Sequence, residues 1–135
     1  MKTILKTTAL VFALASPAFS GGHMPLEVTD QAASTSVTIA AVTIDVPGFV
    51  TIHGSDADGN MIAPASLGHT FIEAGSHNDV VVDLATAVSS GTSLYAMLHI
   101  DDGQAQIYEF GVDSTDFDGP YIKDGGPIIV KFVVE

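Results

Sequence analysis

Glycine, histidine and methionine supply the spacings in this chain that suit chemistry. Gly21-Gly22-His23 is a metal site if residue 21 is a free amino terminus. The terminal amine, two amide nitrogens and the imidazole in third position then close a square-planar set of four nitrogens. Cu(II) and Ni(II) prefer that geometry. Neither glycine places a side chain in the way, and Pro25 lies beyond the amides that must deprotonate. Without a metal, His23 is simply a polar residue on an unconstrained terminus. A second set is His53, Met97 and His99. Met97 and His99 are two residues apart and so share one face of a strand. If the strand ending at His53 is their neighbour, two imidazoles and a thioether make a soft site suited to Cu(I). Without a metal, these are polar residues on an outer sheet face or at strand ends. His69 and His77 flank an expected hairpin, where their spacing makes them diagonal at best.

Carboxylates form two further groups. Asp56-x-Asp58-Gly59-Asn60 has the start of a calcium loop but lacks the five-ligand spacing and the distal glutamate. Asp113-x-x-Asp116-x-Asp118-Gly119 puts three carboxylates into one loop, so calcium ranks below copper as a candidate ion. Aspartate also forms turns by bonding its own backbone, which accounts for most of these positions without any ion. No cofactor is required by any motif. The chain has no Gly-x-Ser-x-Gly elbow, no His-Glu-x-x-His, no phosphate-cradling glycine loop and no dinucleotide fingerprint. With 16 acidic residues, any pair of carboxylates is unremarkable. The expectation is a protein that is not an enzyme.

The terminal copper site depends on how the chain is processed. Lys2 and Lys6, the apolar run Ala9 to Ala15, the break at Ser16-Pro17 and the small residues Ala18 and Ser20 make a cleavable Sec-type signal peptide over 1–20. Cleavage is expected before Gly21, with a periplasmic or extracellular destination. The apolar run is short of a membrane span, and no later segment supplies one, so no span is expected after signal removal.

Composition excludes several partners. The 135 residues hold 16 acids against 4 lysines, with no arginine and no cysteine, for a net charge of −12. Removing the signal leaves 115 residues, two lysines and −14. Nucleic acid is excluded as a partner, because phosphate backbones are bound by displacing counterions with Lys and Arg. Cations, a small ligand or another protein remain. The missing cysteines exclude disulfides, thiolate nucleophiles, cysteine-ligated zinc and type 1 copper. At 47% hydrophobic, the chain is too apolar to read as disordered, and it can bury a core without covalent staples.

The elements that must position these residues are strands. After a flexible lead over 21–35, apolar segments run Ser36 to Asp45, Phe49 to His53, His69 to Glu73, Val80 to Leu84, Leu94 to Ile100, Gln106 to Phe110 and Ile128 to Val134. They are rich in Val, Ile, Thr, Phe and Tyr, and turn signals such as Pro47-Gly48, Asp58-Gly59-Asn60 and Asp102-Gly103 separate them. Leu94, Ala96, Leu98 and Ile100 share one face and Tyr95, Met97 and His99 the other, which is the period of a strand with one face on a core. Seven short strands with regular turns predict an all-β fold, a single immunoglobulin-like antiparallel β-sandwich over 36–135.

Four stretches resemble a known family. They are Gly48-Phe49-Val50-Thr51-Ile52-His53, Ala74 through Leu84, Leu94-Tyr95-Ala96-Met97-Leu98-His99-Ile100-Asp101-Asp102-Gly103, and Asp118-Gly119-Pro120-Tyr121. Over roughly Ser36 to Glu135 the chain is similar to an uncharacterised exported domain family (domain of unknown function 7282). That family occurs in archaeal surface proteins, often as repeats, and in small bacterial secreted proteins. The resemblance implies an exported β-sandwich and carries no catalytic residues with it. This chain holds one copy of the domain.

Overall fold

The computed structural model describes residues 24–114 and 116–135. The expected signal segment and the expected copper ligands Gly21, Gly22 and His23 lie outside the described residues. In chain order the strands are β1 (Leu26–Glu27), β2 (Ser36–Ile44), β3 (Gly48–His53), β4 (Gly68–Ile72), β5 (Gly75–Asp83), β6 (Ser93–Ile100), β7 (Ile122–Lys123), β8 (Gly126–Pro127) and β9 (Ile129–Val133). One 3-10 turn spans Val112–Ser114. No helix among the described residues is long and apolar enough to cross a membrane.

The strands form an antiparallel β-sandwich. One sheet has the order β1-β2-β5 and the other β4-β3-β6-β9, while β7 and β8 make a separate hairpin. Between the sheets lies a core built from the alternating residues. Val37, Ile39, Val42 and Ile44 come from β2, Val50 and Ile52 from β3, Leu94, Ala96 and Leu98 from β6, and Phe132 from β9. Each large aliphatic side chain that leaves water here contributes roughly 1.5–3 kcal/mol. Along β2 the inward positions change phase from 37 and 39 to 42 and 44. Opposite this shift stands Asp79, whose φ of 54° turns the facing strand locally. Gly48 lets β3 approach its neighbours, since a Cβ there would collide with the His99 carbonyl and lie 2.8 Å from Ile44 Cδ1.

Three local expectations differ from the structure. The segment Gln106 to Phe110 is a loop and not a strand. Its backbone donors are taken by carboxylates: Gln106 N by Asp101 Oδ2 at 2.8 Å and Glu109 N by Asp118 Oδ2 at 2.7 Å. Gln106 also sits at a φ of 65°, outside the extended region. The strand expected from Val80 begins earlier, at Gly75, because Gly75 to Asn78 pair with Ile44 to Ala41 of β2. The lead is partly built into the sandwich. Leu26 is fully buried in the core, and Gln31 N donates to Val133 O at 3.1 Å while Gln31 O accepts from Glu135 N at 2.7 Å.

Candidate functional site

The outer face of the four-stranded sheet holds the chemistry. All six residues of β3 are buried, although only one face of that strand meets the other sheet. The opposite face carries Phe49, Thr51 and His53, and β6 sets His99, Met97 and Tyr95 directly across from them. Two segments, 54–67 and 101–120 (described at 101–114 and 116–120), fold over this face and bury it. The first is pinned by His53, whose Nδ1 lies 3.0 Å from Ile62 O and 2.9 Å from Ala65 O. Tyr95 adds a hydrogen bond from its hydroxyl to the Gly59 carbonyl. The second is pinned by His99, whose Nδ1 lies 2.7 Å from Asp118 O. Tyr108 and Phe110 from this loop pack against the His99 ring at 5.3 and 5.2 Å between centroids.

His53 and His99 are brought together. In the strand register, the pair Thr51–Met97 lies midway between the Phe49–His99 and His53–Tyr95 pairs. Even so, the two imidazole centroids are only 6.1 Å apart, with ring planes 25° from parallel. Both rings therefore lean over Thr51 and Met97 from opposite sides. His53, Met97 and His99 are 1%, 6% and 1% exposed, which places the three predicted residues in one buried layer.

Hydrogen positions follow from the partners. Carbonyl oxygens only accept, so Nδ1 carries the hydrogen in both rings. His53 Nε2 lies 3.1 Å from Thr51 Oγ1, and that hydroxyl also donates to Met97 O at 3.2 Å. One hydroxyl hydrogen cannot serve both acceptors. His99 Nε2 is buried with no hydrogen-bond partner. Burial holds the His99 imidazole down to about 4, against a smaller upward pull from the Asp118 carbonyl. The Tyr108 hydroxyl is likewise buried without a partner, and desolvation pushes it well above the ordinary tyrosine range.

The other candidate residues are not gathered. His69 is on β4, 4.9 Å from the Tyr108 ring, whereas His77 is on β5 in the other sheet with Nε2 2.8 Å from Glu73 O. Asp56 makes an Asx turn, accepting from Asp58 N and Asn60 N at 2.9 Å each, and these amides hold its carboxyl below the usual range. Asp118 is wholly buried and accepts from Asp102 N at 2.9 Å, Gly103 N at 3.2 Å and Glu109 N at 2.7 Å. Its carboxylate is therefore occupied in holding the loop. Among the described residues, no group of three or more His, Asp or Glu is arranged to hold a metal ion. Beside the buried pair, an apolar cleft of ≈ 380 Å³ opens between Ala63-Pro64-Ala65-Ser66 and Tyr108 to Val112, with His69 on its wall.

Sequence reasoning missed Thr51, Tyr108, Phe110 and Asp118 as parts of this layer. A signal was available for the layer itself. Phe49 to His53 carries bulky residues on both faces, the mark of a strand covered twice. Nothing in the local pattern of 101–119 says that this loop is the cover.

The model of the family described as Domain of unknown function (DUF7282) matches residues 25–135. The chain belongs to this family. It is 28% identical over 104 residues to Cell surface glycoprotein 2 of Haloarcula hispanica, covering 76% of this chain and 10% of the relative. It is 27% identical over 92 residues to Cell surface glycoprotein 1 of the same organism, covering 68% of this chain and 9% of that protein. The chain thus spans about a tenth of the length of these curated relatives. No solved structure matches it.

Proposed function

We propose that this DUF7282 chain is an exported, surface-associated β-sandwich that works by binding and not by catalysis. The carrying observation is the match over residues 25–135 to a domain shared with two cell surface glycoproteins. The signal pattern of residues 1–20 supports export. The apolar cleft between the two outer loops supports a binding role, since small-ligand and protein contacts favour concave apolar surfaces with a few polar groups.

The test is to express the full chain with its own leader in a Sec-competent bacterium, fractionate the cells and measure intact mass. The expected product begins at Gly21 and is found outside the cytoplasm. A cytoplasmic product that retains Met1 to Ser20 would overturn the export on which this function depends.

A further inference from the structure

We propose that His53 Nε2, His99 Nε2 and the Met97 thioether hold one Cu(I) ion inside the outer layer of the sandwich. This site is independent of where the protein resides and of the terminal Gly21-Gly22-His23 site. Buried acceptors outnumber the hydrogens available to them. His99 Nε2 is buried without a partner, and His53 Nε2 shares the single Thr51 hydroxyl hydrogen with Met97 O. A buried lone pair left without a donor costs of the order of 1–3 kcal/mol. A cation between the two imidazoles removes that conflict.

The anchoring is that of metal-binding histidines. Each ring gives its Nδ1 hydrogen to backbone carbonyls, His53 to Ile62 and Ala65 and His99 to Asp118. Such bonds fix the tautomer that presents Nε2 as a ligand and hold the ring in orientation. The centroids stand 6.1 Å apart over the pair formed by Thr51 and Met97, so the thioether shares the sheet face that both rings overhang.

The ligand set selects the ion. Two neutral imidazoles and a thioether are soft donors that favour Cu(I) over harder divalent ions. The buried, aromatic surroundings favour it again. Phe49, Tyr108 and Phe110 wall the layer, and burying a divalent charge among neutral ligands costs far more than burying a monovalent one. The route in is the seam between the two loops, where Tyr108 and Phe110 both cover His99 and line the cleft.

The test is an anaerobic Cu(I) titration of the processed protein against a chromogenic Cu(I) chelator, with X-ray absorption on the loaded sample. His23→Ala removes the terminal imidazole and is the background for all other variants. One Cu(I) per chain is expected, with nitrogen and sulfur scattering unchanged by His23→Ala. Met97→Leu conserves volume and should fold; it is expected to lose the sulfur shell and at least tenfold in affinity. His99→Phe is expected to abolish binding. Absence of Cu(I) from the His23→Ala protein overturns the proposal. So does a sulfur signal that survives Met97→Leu, which would assign it to Met24 or Met61. A crystal structure from copper-loaded protein with only water at His99 Nε2 would be equally decisive against it.

Discussion

At His99 the imidazole gives its Nδ1 hydrogen to the Asp118 carbonyl and keeps Nε2 inside a layer of aromatic rings. Protonation would place a charge where it has no partner, and burial accordingly holds this group down to about 4 from an unfolded value of 6.5. Between those two values the unfolded chain binds the extra proton and the folded chain does not. Stability therefore rises with pH across this window. Its contribution is complete above 6.5 and is lost as pH falls toward 4, for a total of roughly 3 kcal/mol. Urea unfolding of the metal-free protein is expected to give a clearly lower free energy at pH 4.5 than at pH 7.5. His99→Asn keeps a side-chain N–H for the Asp118 carbonyl and does not titrate, so the difference should shrink. An equal difference in both proteins would assign the loss to other groups. The terminal residues carry a separate expectation. Once Gly21 is the free amine, Gly21-Gly22-His23 should bind one Cu(II) with a square-planar visible band, and His23→Ala should remove that band.

The element that decides the outer face is the segment 101–120, and Asp118 holds it in place. Its carboxylate takes three backbone hydrogens, from Asp102, Gly103 and Glu109, while its own N–H goes to Asp102 Oδ1 at 2.6 Å. Asp118→Ala takes the acceptor from three backbone N–H groups, two of them in the exposed residues Asp102 and Gly103, and is expected to cost about 1–3 kcal/mol. Asp118 also has a φ of 58°, which asparagine tolerates and alanine does not. Asp118→Asn should therefore cost less than Asp118→Ala, since its one oxygen keeps part of the network. Hydrogen exchange would locate the damage, with protection lost at Asp102, Gly103 and Glu109 before β3 or β6. Uniform loss across the sandwich would show that the loop is not a separate unit. This loop also marks where the sequence stopped being informative. The strands carrying Val37, Ile39, Leu94, Leu98 and Phe132 were legible because period-two alternation records a face turned to a core. The meeting of His53 with His99 was half legible, since Met97 and His99 share a face but strand adjacency needed the register. The cover over them was not legible at all. Its backbone bonds run to carboxylates from residues 5 to 16 positions away, an arrangement with no periodicity, so Gln106 to Phe110 reads as a strand from its residue types alone.

For the whole molecule, charge is the term that the packed layers do not set. Residues 21–135 hold 16 acids against two lysines, and one of these, Lys131, has its ammonium 5.9 Å from the centroid of the Tyr95 ring. Such a surface repels itself, and folding brings the repelling groups closer together. Screening relieves this, because the Debye length falls from about 30 Å at 0.01 M salt to about 3 Å at 1 M. The unfolding midpoint is therefore expected to rise with sodium chloride, most steeply at low concentration, where the screening length shrinks through the spacing of surface charges. Asp58 and Glu73 are exposed and allow the cause to be isolated. Replacing both with lysine changes the net charge by four while leaving the core and the outer layer untouched. If repulsion is the cause, the double variant gains midpoint at low salt and converges on the parent protein at high salt. A constant offset at all concentrations would instead point to local turn effects at those two sites. Convergence would also explain how a sandwich without disulfides tolerates its acidity: the core of β2, β3, β6 and β9 supplies the stability, and the surrounding electrolyte limits the opposing term.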